Sequence, residues 1–271
     1  MNDSLVKYSK ENKTILCFGI DPVIEKINND GAGAEEKIMN YYFEITDALL
    51  AEHAISAIKP NYAYFAQYGM DGLSALGNVI NRYKGKTYII LDGKRGDIGR
   101  SSDAYAREIY DFWGADATTV SPYMGSDSIK PFLKEGKTAY VLCRTSNEGA
   151  KDFQELKVGR KFLYEHIAMK AVEWSSANAN CGLVVGATSD SIKRIVKITG
   201  GTVPFLIPGV GSQGGDLEMV MKAIKDNLYI HRINASSSIA FAYEKQGGSA
   251  KDAAVNEARK LNGEIRKYLQ Y

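Results

Sequence analysis

The sequence predicts an α/β protein, a single-domain (β/α)8 TIM barrel over residues 1–271, because eight apolar runs alternate with helical segments. Most runs are short, rich in β-branched residues and nearly continuous in apolar character, as strands buried on both faces are. Eight such units in about 250 residues match the size of this barrel. The runs are Ile15–Ile20, Ile55–Lys59, Thr87–Leu91, Ala117–Val120, Thr138–Cys143, Gly182–Val185, Pro204–Ile207 and Leu228–Ile233.

Segments with helical periodicity lie between most of these runs. They include Glu35–Glu52, Gly72–Tyr83, Ser102–Phe112, Gly159–Ala177 and Leu217–Asp226. An open doubly wound sheet is the alternative architecture, but no G-x-G-x-x-G motif follows the first run. No linker, low-complexity tract or change in composition divides the chain, so we expect one domain.

Composition and charge limit the classes of function. The chain is 45% hydrophobic and 24% charged, and its 34 Lys and Arg nearly balance 32 Asp and Glu, for a net charge of +2. Such a balance gives no broad positive field for nucleic acid or a membrane surface, so we expect neither partner. An anionic ligand would have to be held by local groups.

The N-terminal segment and the cysteines indicate the compartment. Met1–Thr14 is polar and lacks the apolar core of a signal peptide, and no apolar run approaches the length of a membrane span. Cys17, Cys143 and Cys181 each lie in an apolar run, as small core residues do. No Cys/His spacing suggests a zinc site, so we expect a cytoplasmic protein without a metal.

The charged residues after the third run are the strongest indication of a function. Asp92 and Lys94 are two residues apart, so they share a face at the carboxyl end of the strand, and Asp97 follows in the turn. In a barrel these strand ends carry the chemistry. Two carboxylates and an ammonium are costly to desolvate together, which favours a functional site. The alternative is a surface salt bridge with no function, which usually contributes little to stability.

Two further strand ends add to this charge. Asp21 and Lys59 are each followed by proline, and singly each is more often a turn former or a surface lysine. Together with the residues after the third run they form an alternating Asp/Lys array at one mouth of the barrel. In such an array each charge favours the ionised form of its neighbours.

The loop after the seventh run, Gly209–Asp216, contains four glycines. Backbone N–H groups of a glycine-rich loop approach anions closely, and the loops after strands seven and eight are the usual phosphate site of such barrels. The alternative is a tight turn with no ligand. In either case we expect Asp216 to cap the following helix.

Other polar and aromatic residues carry weaker signals. Ser146-Asn147 suits recognition of a base or the capping of a turn. His53 and His166 in helical segments and His231 in a strand fit no triad or metal pattern, so a structural role is expected. The Tyr-rich stretch Tyr62–Tyr68 is more often core or interface than a ligand-stacking surface.

The segment Asp92–Gly99 resembles the D-x-K-x-x-D-I signature of the orotidine 5′-monophosphate decarboxylase family, in its longer bacterial branch. The resemblance implies a homodimeric (β/α)8 barrel that converts orotidine 5′-monophosphate to UMP and CO2 without metal or organic cofactor. This is the last step of de novo pyrimidine synthesis. Further motifs in family order are Phe18–Pro22, Lys59–Asn61, Ser121–Gly125, Arg144–Asn147, Val185–Thr188 and Pro208–Asp216.

The resemblance also implies roles for the residues of the charge array and the base site. Lys94 would donate a proton to C6 of the pyrimidine, and Asp92 would lie beside the substrate carboxylate. Asp21 and Lys59 would bind ribose hydroxyls and complete the charge array. Ser146 would contact the pyrimidine.

The remaining roles implied by the resemblance concern the partner subunit and the phosphate. Asp97 and Ser101 would reach the active site of the other subunit. Gln213 and nearby backbone N–H groups, including those of Gly211 and Gly214, would hold the phosphate.

The chain departs from the family pattern at Ser237, where the family carries an arginine in a segment N-[AS]-S-R-x-I. Losing a charge-assisted phosphate contact would cost about 1.5–3 kcal/mol. Three explanations stay open: an engineered substitution, another cation such as Arg232 or one on a loop, or a different or more weakly bound ligand. The intact remaining motifs favour the first.

Two other functions compete with this interpretation. A metal-dependent phosphosugar decarboxylase or aldolase shares the D-x-K-x-x-D array but uses a Glu after the second strand, where this chain has Lys59. A non-catalytic nucleotide-binding relative is supported only by Ser237. Turnover without metal separates the first from the decarboxylase, and turnover itself tests the second.

Overall fold

The computed structural model describes residues 3–27, 33–175, 180–187, 191–210 and 216–269. Within them, eight parallel strands form a closed barrel in chain order, and the last strand pairs with the first through Leu16 and Ile233. This confirms the (β/α)8 TIM barrel and excludes the open sheet. The barrel strands are β1 Leu16–Ile20, β2 Ala57–Pro60, β3 Tyr88–Arg95, β4 Ala117–Val120, β5 Thr138–Arg144, β6 Asn180–Val185, β7 Phe205–Pro208 and β8 Arg232–Ala235.

The longer helices of the described residues are α1 Asp3–Glu11, α2 Ala34–Ala51, α3 Gly69–Tyr83, α4 Gly99–Arg107, α5 Leu163–Ser175, α6 Ser191–Thr199, α7 Leu217–Ile224 and α8 Ala250–Arg266. A π-helical turn, Glu108–Phe112, continues α4. Shorter helices are Ile24–Lys26, Tyr62–Ala66, Ser126–Ile129, Lys130–Phe132, Ala150–Phe153, Lys225–Ile230, Ser237–Ala240 and Tyr243–Gln246. A small hairpin pairs Lys157–Val158 with Lys161–Phe162. None of the described helices is long and apolar enough to cross a bilayer.

The apolar core has two layers. The larger layer lies between the strands and the surrounding helices, and the smaller one fills the inside of the barrel. Leu5 of α1 belongs to the inner layer, and its carbonyl accepts a hydrogen bond from the guanidinium of Arg232 at the start of β8. Helix α1 therefore closes the amino end of the barrel, and the carboxyl ends of the strands remain accessible. The inner layer contains Leu5, Cys17, Ala57, Tyr88, Ile90, Ala117, Tyr140, Val184 and Leu206.

The eighth strand begins later than the sequence predicts. Leu228 and Ile230 of the predicted run belong to a 3-10 helix, and β8 starts at Arg232. The prediction was wrong because both residues are buried, and a short apolar run does not distinguish a strand from a buried helical turn. His231 consequently precedes the strand, and its Nδ1 accepts a hydrogen bond from the backbone N–H of Phe205 at 3.0 Å.

Two other predicted positions also need correction. His53 lies in a turn after α2, with φ of 48°, and not in a helix. The predicted helix from Gly159 begins only at Leu163, since the hairpin occupies the preceding residues. The three cysteines are buried as expected, and burial raises the pKa of Cys17 to about 12.

Candidate active site

A cavity of about 590 Å³ lies at the carboxyl ends of the strands. Each of the eight barrel strands, or the loop that follows it, contributes at least one lining residue. The predicted gathering of polar strand ends at one mouth is therefore confirmed. The lining includes Asp21, Lys59, Asn61, Tyr64, Asp92, Lys94, Thr119, Ser146, Asn147, Gly209, Asn234, Ser237 and Phe241.

Four charged side chains at the bottom of this cavity form a charge cluster: Asp21, Lys59, Asp92 and Lys94. Nζ of Lys59 lies 3.0 Å from Oδ2 of Asp92 and 3.9 Å from Oδ1 of Asp21. Nζ of Lys94 lies 2.7 Å from the other oxygen of Asp92, Oδ1. The Asp92 side chain is only 8% exposed, whereas that of Lys94 is 52% exposed. Lys94 is therefore the ammonium of the cluster most accessible to a ligand.

The charges of the cluster stabilise one another. Burial alone would raise the pKa of Asp92, but the ammonium groups of Lys59 and Lys94 outweigh burial and hold that pKa well below its usual range. Burial would likewise lower the pKa of Lys59, yet the carboxylates of Asp92 and Asp21 raise it above its ordinary value. Asp92 and Lys59 are thus held as an ion pair at neutral pH.

The backbone of Lys94 is in the left-handed region, with φ of 44°. This conformation is unusual for a residue with a long side chain and occurs most often where a site requires it. The pairing of β3 with β4 is irregular at the same place, between Leu91 and Arg95. The irregular strand end thus directs the Lys94 side chain towards Asp92.

Thr119 of β4 joins the two residues, a role that sequence reasoning missed. Its Oγ1 accepts a hydrogen bond from the backbone N–H of Lys94 at 2.9 Å and donates one to Oδ1 of Asp92 at 2.8 Å. The alternation of side chains along a strand could have indicated that Thr119 points into the barrel. Thr119 shares a face with Ala117, which lies in the inner layer.

Arg95 anchors the end of β3 to the helices outside the barrel. Its guanidinium lies 2.9 Å from Glu108 and sits over the rings of Tyr62 and Tyr105, 4.3 and 4.8 Å from their centroids. Tyr62 of the Tyr-rich stretch therefore packs against Arg95, in line with the packing role expected for this stretch. Tyr64 of the same stretch lines the cavity.

Ser146 lines the cavity beside β6, and Gly186 makes this approach possible. A Cβ atom at position 186 would lie 2.8 Å from the backbone nitrogen of Ser146, a contact that no side chain tolerates. The hydroxyl of Thr145 donates to Oδ1 of Asn147 at 2.6 Å. Asn147 therefore also stabilises the turn that follows β5.

Ser237 lies at the β8 side of the cavity, exposed and at the start of a short helix. Gly209 at the end of β7 lines the same cavity. The predicted phosphate residues Gly211, Gln213 and Gly214 lie outside the described residues, as does Thr188. The expected cap is confirmed, since the Asp216 side chain accepts a hydrogen bond from the backbone N–H of Met219 at 2.9 Å.

Arg232 does not replace the missing arginine. It is fully buried at the amino end of the barrel, where its guanidinium donates to the carbonyls of Leu5, Tyr229 and His231. The alternative that Arg232 takes over at the Ser237 end is therefore wrong, because the two residues lie at opposite ends of β8.

Asp97 and Ser101 are placed apart from the charge cluster. Neither is among the described residues that line the cavity. Oδ1 of Asp97 accepts a hydrogen bond from the backbone N–H of Ile98 at 2.8 Å, and Ser101 is exposed in the first turns of α4. In the described part of the chain, no group of three or more His, Cys, Asp or Glu side chains is placed to hold a metal ion.

The fold and the charge cluster define a class: a (β/α)8-barrel enzyme with a Lys-Asp-Lys centre at its strand carboxyl ends. The family model described as the orotidine 5′-phosphate decarboxylase / HUMPS family matches residues 16–261. The chain is 38% identical over 263 residues to an orotidine 5′-phosphate decarboxylase of Janthinobacterium sp. (strain Marseille), covering 96% of each chain. This chain belongs to that family.

Solved structures of similar sequence have the same fold. An OMP decarboxylase of Leishmania donovani superposes with a TM-score of 0.80 at 33% identity, with 98% of each chain covered. A UMP synthase of Leishmania donovani superposes with a TM-score of 0.82 at 35% identity over 97% of this chain. The present chain spans 56% of that longer protein.

Proposed function

We propose that this chain decarboxylates orotidine 5′-monophosphate to UMP and CO2 in the cytoplasm, without a metal or organic cofactor, as the last step of de novo pyrimidine synthesis. The observation that carries the proposal is the charge cluster, in which a buried ion pair, Lys59–Asp92, holds the accessible ammonium of Lys94 at a cavity. Family membership and the names of the relatives support the same reaction.

The chemistry follows from the position of Lys94. Cleavage of the bond between C6 and the carboxylate releases CO2 and leaves the electron pair on C6, where the ring delocalises it poorly. An ammonium beside C6 stabilises this charge as it develops and then transfers a proton to C6. Asp92 lies against the departing carboxylate, and their like charges destabilise the bound substrate relative to the transition state.

The other lining residues would bind the rest of the substrate. Asp21 and Lys59 contact the ribose hydroxyls, and Ser146 contacts the pyrimidine. Ser237 would lie at the phosphate end, and Gln213, which is outside the described residues, would also bind the phosphate. Binding of the phosphate, remote from C6, contributes to lowering the barrier at C6.

The active enzyme would be a homodimer in which Asp97 and Ser101 reach the neighbouring site. Neither side chain lines the cavity of its own subunit, and Ser101 is exposed and Asp97 partly exposed, which supports this arrangement. Ile98 is 55% exposed beside Asp97, and Tyr123 is 86% exposed in the loop after β4. Exposed apolar side chains of this kind are typical of a surface that another chain covers.

The metal-dependent alternative gains no support from the cavity. The position expected to carry a metal-binding Glu is Lys59, whose ammonium is already bound to Asp92. Each oxygen of Asp92 is paired with an ammonium group, so a cation would have to displace Lys59 or Lys94 to bind that carboxylate. The non-catalytic alternative is supported only by Ser237, since Lys94 and the aspartates of the motif are all present.

The test is decarboxylation of orotidine 5′-monophosphate in the presence of EDTA, followed by the loss of substrate absorbance and by the appearance of UMP. We expect turnover that EDTA does not reduce. Turnover that requires an added divalent cation would favour the phosphosugar-type alternative. Absence of turnover in both the native chain and Ser237→Arg would contradict the proposed function.

A further inference from the structure

The hydroxyl of Thr119 has no remaining freedom of orientation. A threonine hydroxyl has one proton to donate, and a carboxylate only accepts, so the proton of Thr119 goes to Asp92. A lone pair of the same oxygen accepts the backbone N–H of Lys94. Thr119 is 1% exposed, so water does not compete for these bonds.

These bonds close a ring that includes the reactive ammonium. Oδ1 of Asp92 accepts the Thr119 hydroxyl at 2.8 Å and the Lys94 ammonium at 2.7 Å. Thr119 of β4 therefore holds the backbone of Lys94 directly, and it holds the ammonium of Lys94 through Asp92. Because the left-handed backbone of Lys94 is unfavourable by itself, a fixed acceptor for its N–H helps to maintain it.

We propose that Thr119 is a positioning residue for decarboxylation: it holds the Asp92 carboxylate and the Lys94 backbone so that the ammonium faces C6. The inference rests on the proposed function of Lys94. Thr119 needs no contact with the substrate to act in this way. Its loss should therefore reduce the rate of the chemical step and leave substrate affinity nearly unchanged.

The test compares three variants. Thr119→Val keeps the shape of the side chain and removes both hydrogen bonds, whereas Thr119→Ser keeps the hydroxyl. Thr118→Val is the matched control, because the Thr118 hydroxyl is equally buried on the same strand but donates to the carbonyl of Leu91 at 2.8 Å.

We expect Thr119→Val to lower kcat by about tenfold to a hundredfold, with KM nearly unchanged. Thr119→Ser should recover most of the activity, and Thr118→Val should have native kcat. Native kcat in Thr119→Val would overturn the inference. Equal losses of kcat and thermal stability in the two valine variants would also overturn it, by indicating a purely structural role.

Lys94→Ala separates this inference from the proposed function. If the native chain shows no turnover, the proposed function fails. If the native chain is active and Lys94→Ala retains native turnover, the proposed role of Lys94 fails. If Lys94→Ala is inactive while Thr119→Val retains native kcat, only the role of Thr119 is wrong.

Discussion

The ammonium of Lys94 lies 2.7 Å from the carboxylate of Asp92, two residues earlier on the same strand, but the two side chains differ sharply in exposure. Asp92 is buried and held by a second ammonium, that of Lys59, whereas half of the Lys94 side chain is open to the cavity. One partner of the pair is thus fixed and the other is accessible, as a proton donor to a bound ligand must be.

Replacing Lys94 by alanine should therefore affect turnover far more than binding. We expect kcat to fall by roughly 10²–10⁴-fold, the usual contribution of a positioned acid, while the affinity for UMP changes little. Steady-state kinetics and calorimetric titration with UMP measure the two effects. Lys13→Ala is a matched control, since Lys13 also has a left-handed backbone, with φ of 48°, but does not line the cavity. Near-normal turnover in Lys94→Ala would exclude it as the proton donor.

Asp92→Asn should destabilise the fold at neutral pH by roughly 3 kcal/mol, because two ammonium groups lose their shared carboxylate. The folded-state pKa of Asp92 lies below its unfolded value of about 3.9. Its stabilising contribution is therefore complete above about pH 4 and is lost as the pH falls towards the folded pKa.

Thermal unfolding of the native chain and Asp92→Asn between pH 8 and pH 3 measures this effect. The difference in Tm should be constant down to about pH 5 and shrink below about pH 4. Asp97→Asn serves as a control, because an amide oxygen can still accept from the backbone N–H of Ile98. A difference that does not vary with pH would argue against the ion pair as its source.

Ser237→Arg should restore a charged contact at the phosphate end of the cavity. We expect KM for orotidine 5′-monophosphate to fall by about tenfold to a hundredfold, with a smaller change in kcat. Orotidine, which lacks the phosphate, is the control substrate and should show no gain. An equal gain with both substrates would mean that Ser237 does not lie at the phosphate.

His231 should make the fold sensitive to acid. Burial first, and then the charge of Arg232, lower the pKa of His231 to about 3. Since the unfolded histidine binds a proton below about pH 6.5, the free energy of unfolding decreases by up to about 1.4 kcal/mol per pH unit below that point.

In His231→Asn the amide oxygen can still accept from the backbone N–H of Phe205, but the titrating group is gone. Urea unfolding between pH 7 and pH 4.5 should give a shallower pH dependence for this variant than for the native chain. Identical slopes in His231→Asn and the native chain would refute the prediction.

A mixed dimer tests whether Asp97 acts across a subunit interface. Lys94→Ala and Asp97→Ala homodimers should both be inactive. In a co-refolded mixture, heterodimers contain one site with both native residues, so about a quarter of native activity should return. If Asp97 acts within its own subunit, mixing will restore nothing.

Much of the architecture is readable from the sequence because strand character and strand ends are local properties. Seven of the eight predicted runs overlap the observed strands closely, and the eighth overlaps only at its last residues. Asp21, Lys59, Asp92 and Lys94 were each predicted from their position at a strand end, and the barrel brings all four together. The parallel order of the strands requires this, since every carboxyl end meets the same mouth.

The sequence by itself determined the barrel, the charged residues at its mouth and the departure at Ser237. Only the tertiary structure decided that Thr119 joins Asp92 to the backbone of Lys94, and that Arg232 is buried at the opposite end from Ser237. These relationships depend on the register of neighbouring strands and on the direction of a side chain within the barrel. Closure of the barrel sets both, through pairings between residues distant in the chain, and periodicity along a single strand does not encode them.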